Sequence, residues 1–307
     1  MIENDASSNR HGVGIELDFS NNNILTSNIA SSNGIDDVDY HGIYLLSSNN
    51  NTLTNNNASS NSNGIVLENS NNNTMTNNSA NWNKNTGISL QGSSGNNNLT
   101  NNSMNNNSNN FMAYPYSFNS IDTSNTVDGK PIFYKKNASD AIYDSSTNAG
   151  TFYCFQCNNV TIRDLNVTKN TFGIIFISTN NSKIENNSAS LNLFGIALIS
   201  GNNNNTIINN KAIANDEGIS LFYYNNNNTF TNNEVNLNRY GITLSANGNL
   251  NNTLANNNIS SNSKGIINDF IDNSENNSIY HNNLINNTIQ SFNVNEYPLQ
   301  KEWWGSD

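Results

Sequence analysis

Residues 64–67 read Gly64-Ile65-Val66-Leu67, and residues 73–78 read Asn73-Thr74-Met75-Thr76-Asn77-Asn78. The first phrase returns as Gly14-Ile15-Glu16-Leu17, Gly42-Ile43-Tyr44-Leu45, Gly87-Ile88-Ser89-Leu90, Gly173-Ile174-Ile175-Phe176, Gly195-Ile196-Ala197-Leu198, Gly218-Ile219-Ser220-Leu221, Gly241-Ile242-Thr243-Leu244 and Gly265-Ile266-Ile267. The usual interval, about 22 to 24 residues, is that of a stacked solenoid in which each repeat covers the next. The second phrase follows about ten residues after the glycine and recurs at Asn51–Asn56, Asn205–Asn210, Asn228–Asn233 and Asn252–Asn257. A shorter apolar step comes third, at Ala58, Ala80, Ala189, Ala212, Val235 and Ile259.

Each repeat therefore reads as three short strands joined by turns. In the first strand Ile and Leu stand two apart and share a face, whereas Glu16, Tyr44, Val66 and Ser89 between them point the other way. The Ile and Leu pair is assigned to the interior. With no 3.6-residue pattern anywhere, the expected fold is all-β, a parallel β-helix of about eleven coils with a mid-chain insertion.

Composition taken alone points to disorder: hydrophobic residues are 34% and roughly a quarter of the chain is Asn. The period overrules this, because apolar residues returning at one phase stack into a continuous core. Charged residues are 11%, with net charge −11, so the surface repels phosphate backbones and nucleic acid is not an expected partner. No apolar run is long enough for a membrane span. Ala6-Ser7-Ser8-Asn9 repeats the interior text Ala30-Ser31-Ser32-Asn33, so the chain is expected to begin in mid-repeat, with coils or neighbouring domains before Met1. On that expectation the missing export signal says little about location.

Asparagine has two structural uses here. Asn55, Asn77, Asn101, Asn186, Asn209, Asn232 and Asn256 share one phase, and Asn61, Asn192, Asn215, Asn238 and Asn262 share another. Each set is expected to stack as an amide ladder, every side chain donating to one neighbour and accepting from the next. Asn also tolerates left-handed backbone at tight turns. His281 stands at a ladder phase and reads as a ladder substitute. Cys154 and Cys157 read as ordinary, partly buried small residues; a disulfide or redox pair is the alternative and needs a turn between them, since residues three apart on a strand face opposite sides.

Function is sought where the repeat is broken. Between Asn33 and Gly42 eight residues replace the usual two, bringing Asp36, Asp37, Asp39, Tyr40 and His41 to one corner; Arg10 and His11 share it one coil earlier, and Trp82 and Lys84 two coils later. Carboxylates are hard-cation ligands and aromatic faces stack on sugar rings. Three readings stand open: a solvated loop, carbohydrate binding through Tyr40, Trp82, Lys84 and His11 with Ca²⁺ held by Asp36, Asp37 and Asp39, and catalysis by Asp36, Asp37, Asp39, His41 and Arg10. Ca²⁺ is the one cofactor candidate. Three histidines give little support for a copper or zinc cluster.

The second departure runs from Phe111 to Thr171. Asp128-Gly129 between apolar runs predicts a hairpin, with Tyr134, Lys135 and Lys136 as a candidate binding surface. The expected division is residues 1–110 as N-terminal coils, 111–158 as an insertion on the same solenoid, and 159–307 as C-terminal coils and tail, in one continuous domain.

Gly-Ile-x-Leu coils and Asn-rich turns, interrupted by Val127-Asp128-Gly129-Lys130-Pro131-Ile132 and resumed at Gln156-Cys157-Asn158-Asn159-Val160-Thr161-Ile162, resemble the NosD-like right-handed parallel β-helix proteins. The likeness covers nearly the whole chain. It implies a right-handed single-stranded solenoid of the carbohydrate-binding and sugar-hydrolase repeat superfamily, outside the cytoplasm or in the cell envelope, with a polysaccharide as ligand. In its Asn content the chain also resembles surface proteins of methanogenic archaea. The copper in the family's name is not carried over, for want of a matching ligand cluster. Sequons at Asn57, Asn98, Asn137 and Asn166 agree with an exterior location. The expected function is a structural or polysaccharide-binding envelope protein without catalysis; the alternatives are a polysaccharide lyase, hydrolase or uronate epimerase, and a surface adhesion module.

Overall fold

The structure is a computed structural model and describes residues 1–34, 40–245, 248–269, 276–293 and 302–304. The chain divides into two compact units, residues 1–134 with 169–171, and residues 135–168 with 172–307. In the first, Ile15–Asp18, His41–Leu46, Asn63–Glu68, Thr86–Gln91 and Asn109–Ala113 pair in parallel in one sheet. The glycine phrases are in register: Ile15 stands beside Ile43, Ile43 beside Ile65, and Ile65 beside Ile88. A second sheet stacks Ile24–Thr26, Thr52–Thr54, Thr74–Thr76, Asn98–Thr100 and Ser120–Ile121. Bridges through Asp5, Ile29, Asn57, Ser79 and Ser103 form the third side.

The second unit repeats the plan. Thr151–Phe155, Phe172–Ile177, Phe194–Ile199, Glu217–Phe222, Tyr240–Ser245, Lys264–Asp269 and Ile289–Asn293 make its first side. Thr206–Ile208, Thr229–Thr231 and Thr253–Ala255 lie on its second, and Lys211–Ile213, Glu234–Asn236 and Asn258–Ser260 on its third. The fold is a right-handed parallel β-solenoid of about eleven turns with essentially no helix.

The inward assignment holds: Ile43, Leu45, Ile65, Leu67, Ile219 and Leu221 are fully buried. The repeat glycine lies inside the strand, not at a turn. A Cβ on Gly64 would meet the Gly87 carbonyl oxygen at 2.4 Å and Asn83 Nδ2 at 2.8 Å. Glycine is required there by the close approach of a ladder amide to the backbone.

The amide ladders exist, but one of the two expected phases is shifted by a residue. Asn61, Asn192, Asn215, Asn238 and Asn262 are ladder residues, as Asn215 Nδ2 donating to Asn238 Oδ1 at 3.1 Å shows. Asn55, Asn77, Asn101, Asn186, Asn209, Asn232 and Asn256 instead take positive φ at exposed corners. The buried ladder is the next residue, Asn56, Asn78, Asn102 in the first unit and Asn187, Asn210, Asn233, Asn257 in the second. The reason is directional. A left-handed residue turns the chain, its side chain leaves the coil, and the following residue points in. His281 follows the same correction: φ is 53°, it is exposed, and Asn282 carries the ladder.

Cys154 and Cys157 form a disulfide, against the expectation of two ordinary small residues. The opposite-face argument holds only while a strand continues, and this strand ends at Phe155. Gln156 takes φ 52°, which returns Cys157 to the side of Cys154 with the Cα atoms 5.9 Å apart. The lapse of the sequence period at Phe111 is likewise not a lapse of the ladder, since Phe111 pairs with Ile88 and Ala113 with Leu90. Thr126 and Val127 pair antiparallel with Pro131 and Lys130 around Asp128 (φ 47°) and Gly129 (φ 74°), the hairpin turn that Asp-Gly favours.

Candidate carbohydrate-binding site

One corner of the first unit is set by the ladder Asn33, Asn61, Asn83, Asn107, in which each backbone or side-chain amide meets the next Oδ1 at 2.7 to 3.1 Å. The residue before each ladder amide takes left-handed backbone: Ser32 (φ 59°), Ser60 (φ 62°), Trp82 (φ 58°) and Asn106 (φ 57°). A bulky side chain is disfavoured in that conformation, and the same corner of the second unit carries bulky residues at Leu191 (φ 57°) and Leu237 (φ 59°). Trp82 pays that cost and gains little burial, for it is 66% exposed. Its backbone N–H donates to the Asn105 carbonyl at 2.9 Å, which holds the backbone that carries the indole at a fixed rung.

Beside it lies an open cleft of 460 Å³ lined by Asn81, Trp82, Asn105, Asn106 and Asp128. Its polar groups are oriented by the fold. Asn105 donates from its backbone and side chain to Asn81 Oδ1 (2.7 and 3.1 Å), and its own Oδ1 accepts from Gly129 N–H at 3.0 Å. Asp128 Oδ1 accepts from Asn106 N–H at 2.7 Å and Oδ2 from Asn110 Nδ2 at 2.9 Å. An aromatic face flanked by fixed amides and one carboxylate matches a sugar ring, apolar on its C–H face and hydroxylated at its edge.

Of the residues singled out from sequence, Trp82 alone lines this cleft. Lys84 follows two residues on, its N–H donating to the Asn61 carbonyl at 2.9 Å. Arg10 and His11 are exposed in the turn after Asn9. Tyr40 packs on Gly34, where a Cβ would lie 2.9 Å from its ring. Asp36, Asp37 and Asp39, the Ca²⁺ and acid candidates, lie outside the described residues. Sequence reasoning misses Asn81, Asn105, Asn106 and Asp128: the amides look like the rest of the repeat, and Asp128 reads there only as a turn residue.

His41 belongs to a different face. Its ring lies 4.6 Å from that of Tyr44, whose hydroxyl donates to Glu68 Oε2 at 2.7 Å. Burial first, then the Glu68 hydrogen bond and the Glu68, Glu16 and Asp18 charges, push the Tyr44 phenol well above its ordinary range. Tyr44 is thus a fixed proton donor rather than a base at neutral pH. Tyr134, a surface candidate, donates its hydroxyl to the Ser117 carbonyl at 3.2 Å, while Lys135 lies 5.8 Å from the Tyr143 ring centre.

A family model described as periplasmic copper-binding protein (NosD) matches residues 1–132 and 117–306, nearly the whole length. The chain belongs to the NosD family. No curated protein matches it. Among solved structures, the periplasmic alginate epimerase AlgG is 13% identical over 88% of this chain and 75% of its own, with a TM-score of 0.39. The A-module of the Azotobacter vinelandii mannuronan C-5 epimerase AlgE4 is 13% identical over 90% and 84%, with a TM-score of 0.31. Pectate lyase Pel9A is 13% identical over 94% and 71%, with a TM-score of 0.28. At that distance none of them speaks to a residue of this NosD-family chain.

The donor set does not fit the copper of the family description. Among the described residues no three His, Cys, Asp or Glu side chains converge as ligands. Both cysteines are tied in the disulfide, and Met75 and Met104 are buried in the core. Nor, among the described residues, is any helix long and apolar enough to cross a membrane.

Proposed function

We propose that this NosD-family protein is a non-catalytic β-helix of the cell envelope that binds polysaccharide at the Trp82 cleft. The observation that carries the reading is Trp82 itself, an exposed indole held in left-handed backbone beside oriented amides. Binding rather than turnover is supported by the cleft's acid inventory. Its single carboxylate, Asp128, spends both oxygens on protein amides, whereas glycoside cleavage by paired acids needs two carboxyl groups at a set separation. The family's description as periplasmic supports an envelope location. The neighbours named above are polysaccharide-active by title, which agrees with the ligand class without fixing it.

The test is a glycan array, with and without Ca²⁺, on the intact protein and on Trp82→Ala. Retention of one polysaccharide class, lost in Trp82→Ala and without release of shortened or epimerised products, is the expected result. Uniform absence of binding removes the proposal, and product release moves the protein to the enzymes.

A further inference from the structure

The corner that opens the second side of each coil carries a chemistry the fold does not need. In the second unit Asn204, Asn227, Asn251 and Asn276 occupy it on successive rungs, with φ of 56°, 56°, 56° and 63°. All four are exposed. The residue after each is the buried ladder amide, with Asn205, Asn228 and Asn252 donating in turn to the next Oδ1 at 3.0, 3.0 and 3.1 Å. The third residue is Thr206, Thr229, Thr253 or Ser278, in parallel register. Each corner therefore spells Asn-Asn-Thr/Ser with the acceptor asparagine outside. Asn50-Asn51-Thr52 and Asn72-Asn73-Thr74 do the same in the first unit.

Two of the three positions follow from the fold: asparagine for the left-handed turn and asparagine for the ladder. The hydroxyl does not. Lys183, in register with Thr206, and Ile24, in register with Thr52, hold the same place in equally well paired rungs. The hydroxyl nevertheless runs unbroken through four rungs. A second observation concerns the amides. Ladder Nδ2 groups are all engaged, as Asn228 Nδ2 is with the Asn202 carbonyl (2.9 Å) and Asn252 Oδ1 (3.0 Å). The Nδ2 groups of Asn204, Asn227, Asn251 and Asn276 donate to no acceptor among the described residues.

We infer that this corner is a column of N-glycosylation acceptors, with Asn204, Asn227, Asn251 and Asn276 as its members in the second unit. The co-substrate is an oligosaccharide linked to a polyprenyl phosphate or diphosphate. In the transfer a bond forms between the asparagine Nδ2 and the sugar C1, the C1–O bond to phosphate breaks, the lipid phosphate leaves with its electron pair, and Nδ2 gives up one proton. The hydroxyl of the third residue is what the transferring enzyme reads. Asn106-Asn107-Ser108 carries the same triplet, but Asn106 lines the Trp82 cleft and is left out of the column.

The experiment is glycopeptide mass spectrometry on the full chain recovered from its native envelope. Sugar-bearing masses on corner asparagines, and none on Asn205, Asn228, Asn252 or Asn277, are expected. Thr229→Val, made in the native host, should strip the sugar from Asn227, and Thr229→Ser should keep it, both with an unchanged thermal unfolding midpoint. Bare peptides at all four corners, or sugar persisting on Asn227 in Thr229→Val, overturns the inference.

Discussion

Replacing Asn233 by alanine removes one side chain from the middle of a ladder and tests whether that ladder holds the coil together. Asn233 Oδ1 accepts from Asn210 N–H at 3.0 Å and from Asn210 Nδ2 at 3.1 Å. Its Nδ2 donates to Asn257 Oδ1 and to the Ile207 carbonyl, both at 2.9 Å. Its backbone N–H to Asn257 Oδ1 survives in the variant. The substitution therefore strands two donor hydrogens of Asn210, its N–H and one on Nδ2, whose other hydrogen keeps the Ile184 carbonyl at 2.9 Å; Asn210 is 1% exposed. At about 1–3 kcal/mol for each buried orphan, the expected loss is about 2–6 kcal/mol. Asn232→Gly is the control: Asn232 is exposed, takes φ 54°, and makes no side-chain hydrogen bond among the described residues, so its change should stay within about 0.5 kcal/mol. Urea unfolding followed by far-UV circular dichroism gives the midpoints. Amide exchange at residues 206–208 and 253–255 then reports whether the damage is local, since a solenoid opens rung by rung. Equal midpoints for Asn233→Ala and Asn232→Gly, or a loss below about 1 kcal/mol for the former, would refute the ladder argument.

Gly64→Ala places its Cβ 2.4 Å from a backbone carbonyl and 2.8 Å from a ladder amide, and should lower stability by about 1–3 kcal/mol by denaturant titration. Burial, ahead of the Ser220 and Thr243 hydrogen bonds that oppose it, raises the Glu217 carboxyl above its ordinary value. An acid whose folded pKa is raised adds stability below its unfolded value of 4.5 and loses it as pH climbs through the folded value, so Glu217→Gln should be more stable than the parent at pH 7 and equal to it near pH 4, as read from thermal midpoints. Trp82→Asn should hold or slightly raise the thermal midpoint, since asparagine suits φ 58°, while abolishing glycan retention; a lower midpoint would mark the indole as structural.

The fold was legible because its period is carried by residues with one use each. Isoleucine and leucine two apart in Gly-Ile-x-Leu can only share a face, and glycine at the same phase marks the rung that a ladder amide crowds. Sequence could not say which member of an Asn-Asn pair turns and which points in, because the two are the same residue and differ only in φ. Hence Asn55 and Asn56, or Asn232 and Asn233, were assigned one place off. The disulfide was hidden for a related reason: the strand rule was applied across Gln156, whose left-handed backbone no composition announces. At the site, the sequence singled out Trp82 for its rarity. Asp128 was legible only as a turn residue, because its meeting with Asn106 comes from stacking rungs 22 residues apart.

Sides and corners of this coil are under opposite constraints. On a side, an inward residue must fit between the same residue of the rung above and the rung below, so Ile43, Ile65 and Ile88 can vary only within narrow limits of size. At a corner the side chain points to solvent and the demand is a positive φ, which Ser32, Ser60, Trp82 and Asn106 meet in one column at a cost lowest for asparagine and highest for tryptophan. A residue that pays a conformational cost at a corner, without burial to offset it, is not explained by folding. By that measure the costly occupants are Trp82 in the first unit and, at the equivalent corner of the second, Leu191 (φ 57°) and Leu237 (φ 59°), all exposed; of these Trp82 alone stands beside the amide-lined cleft. Within each unit the ladders hold such groups at successive rungs.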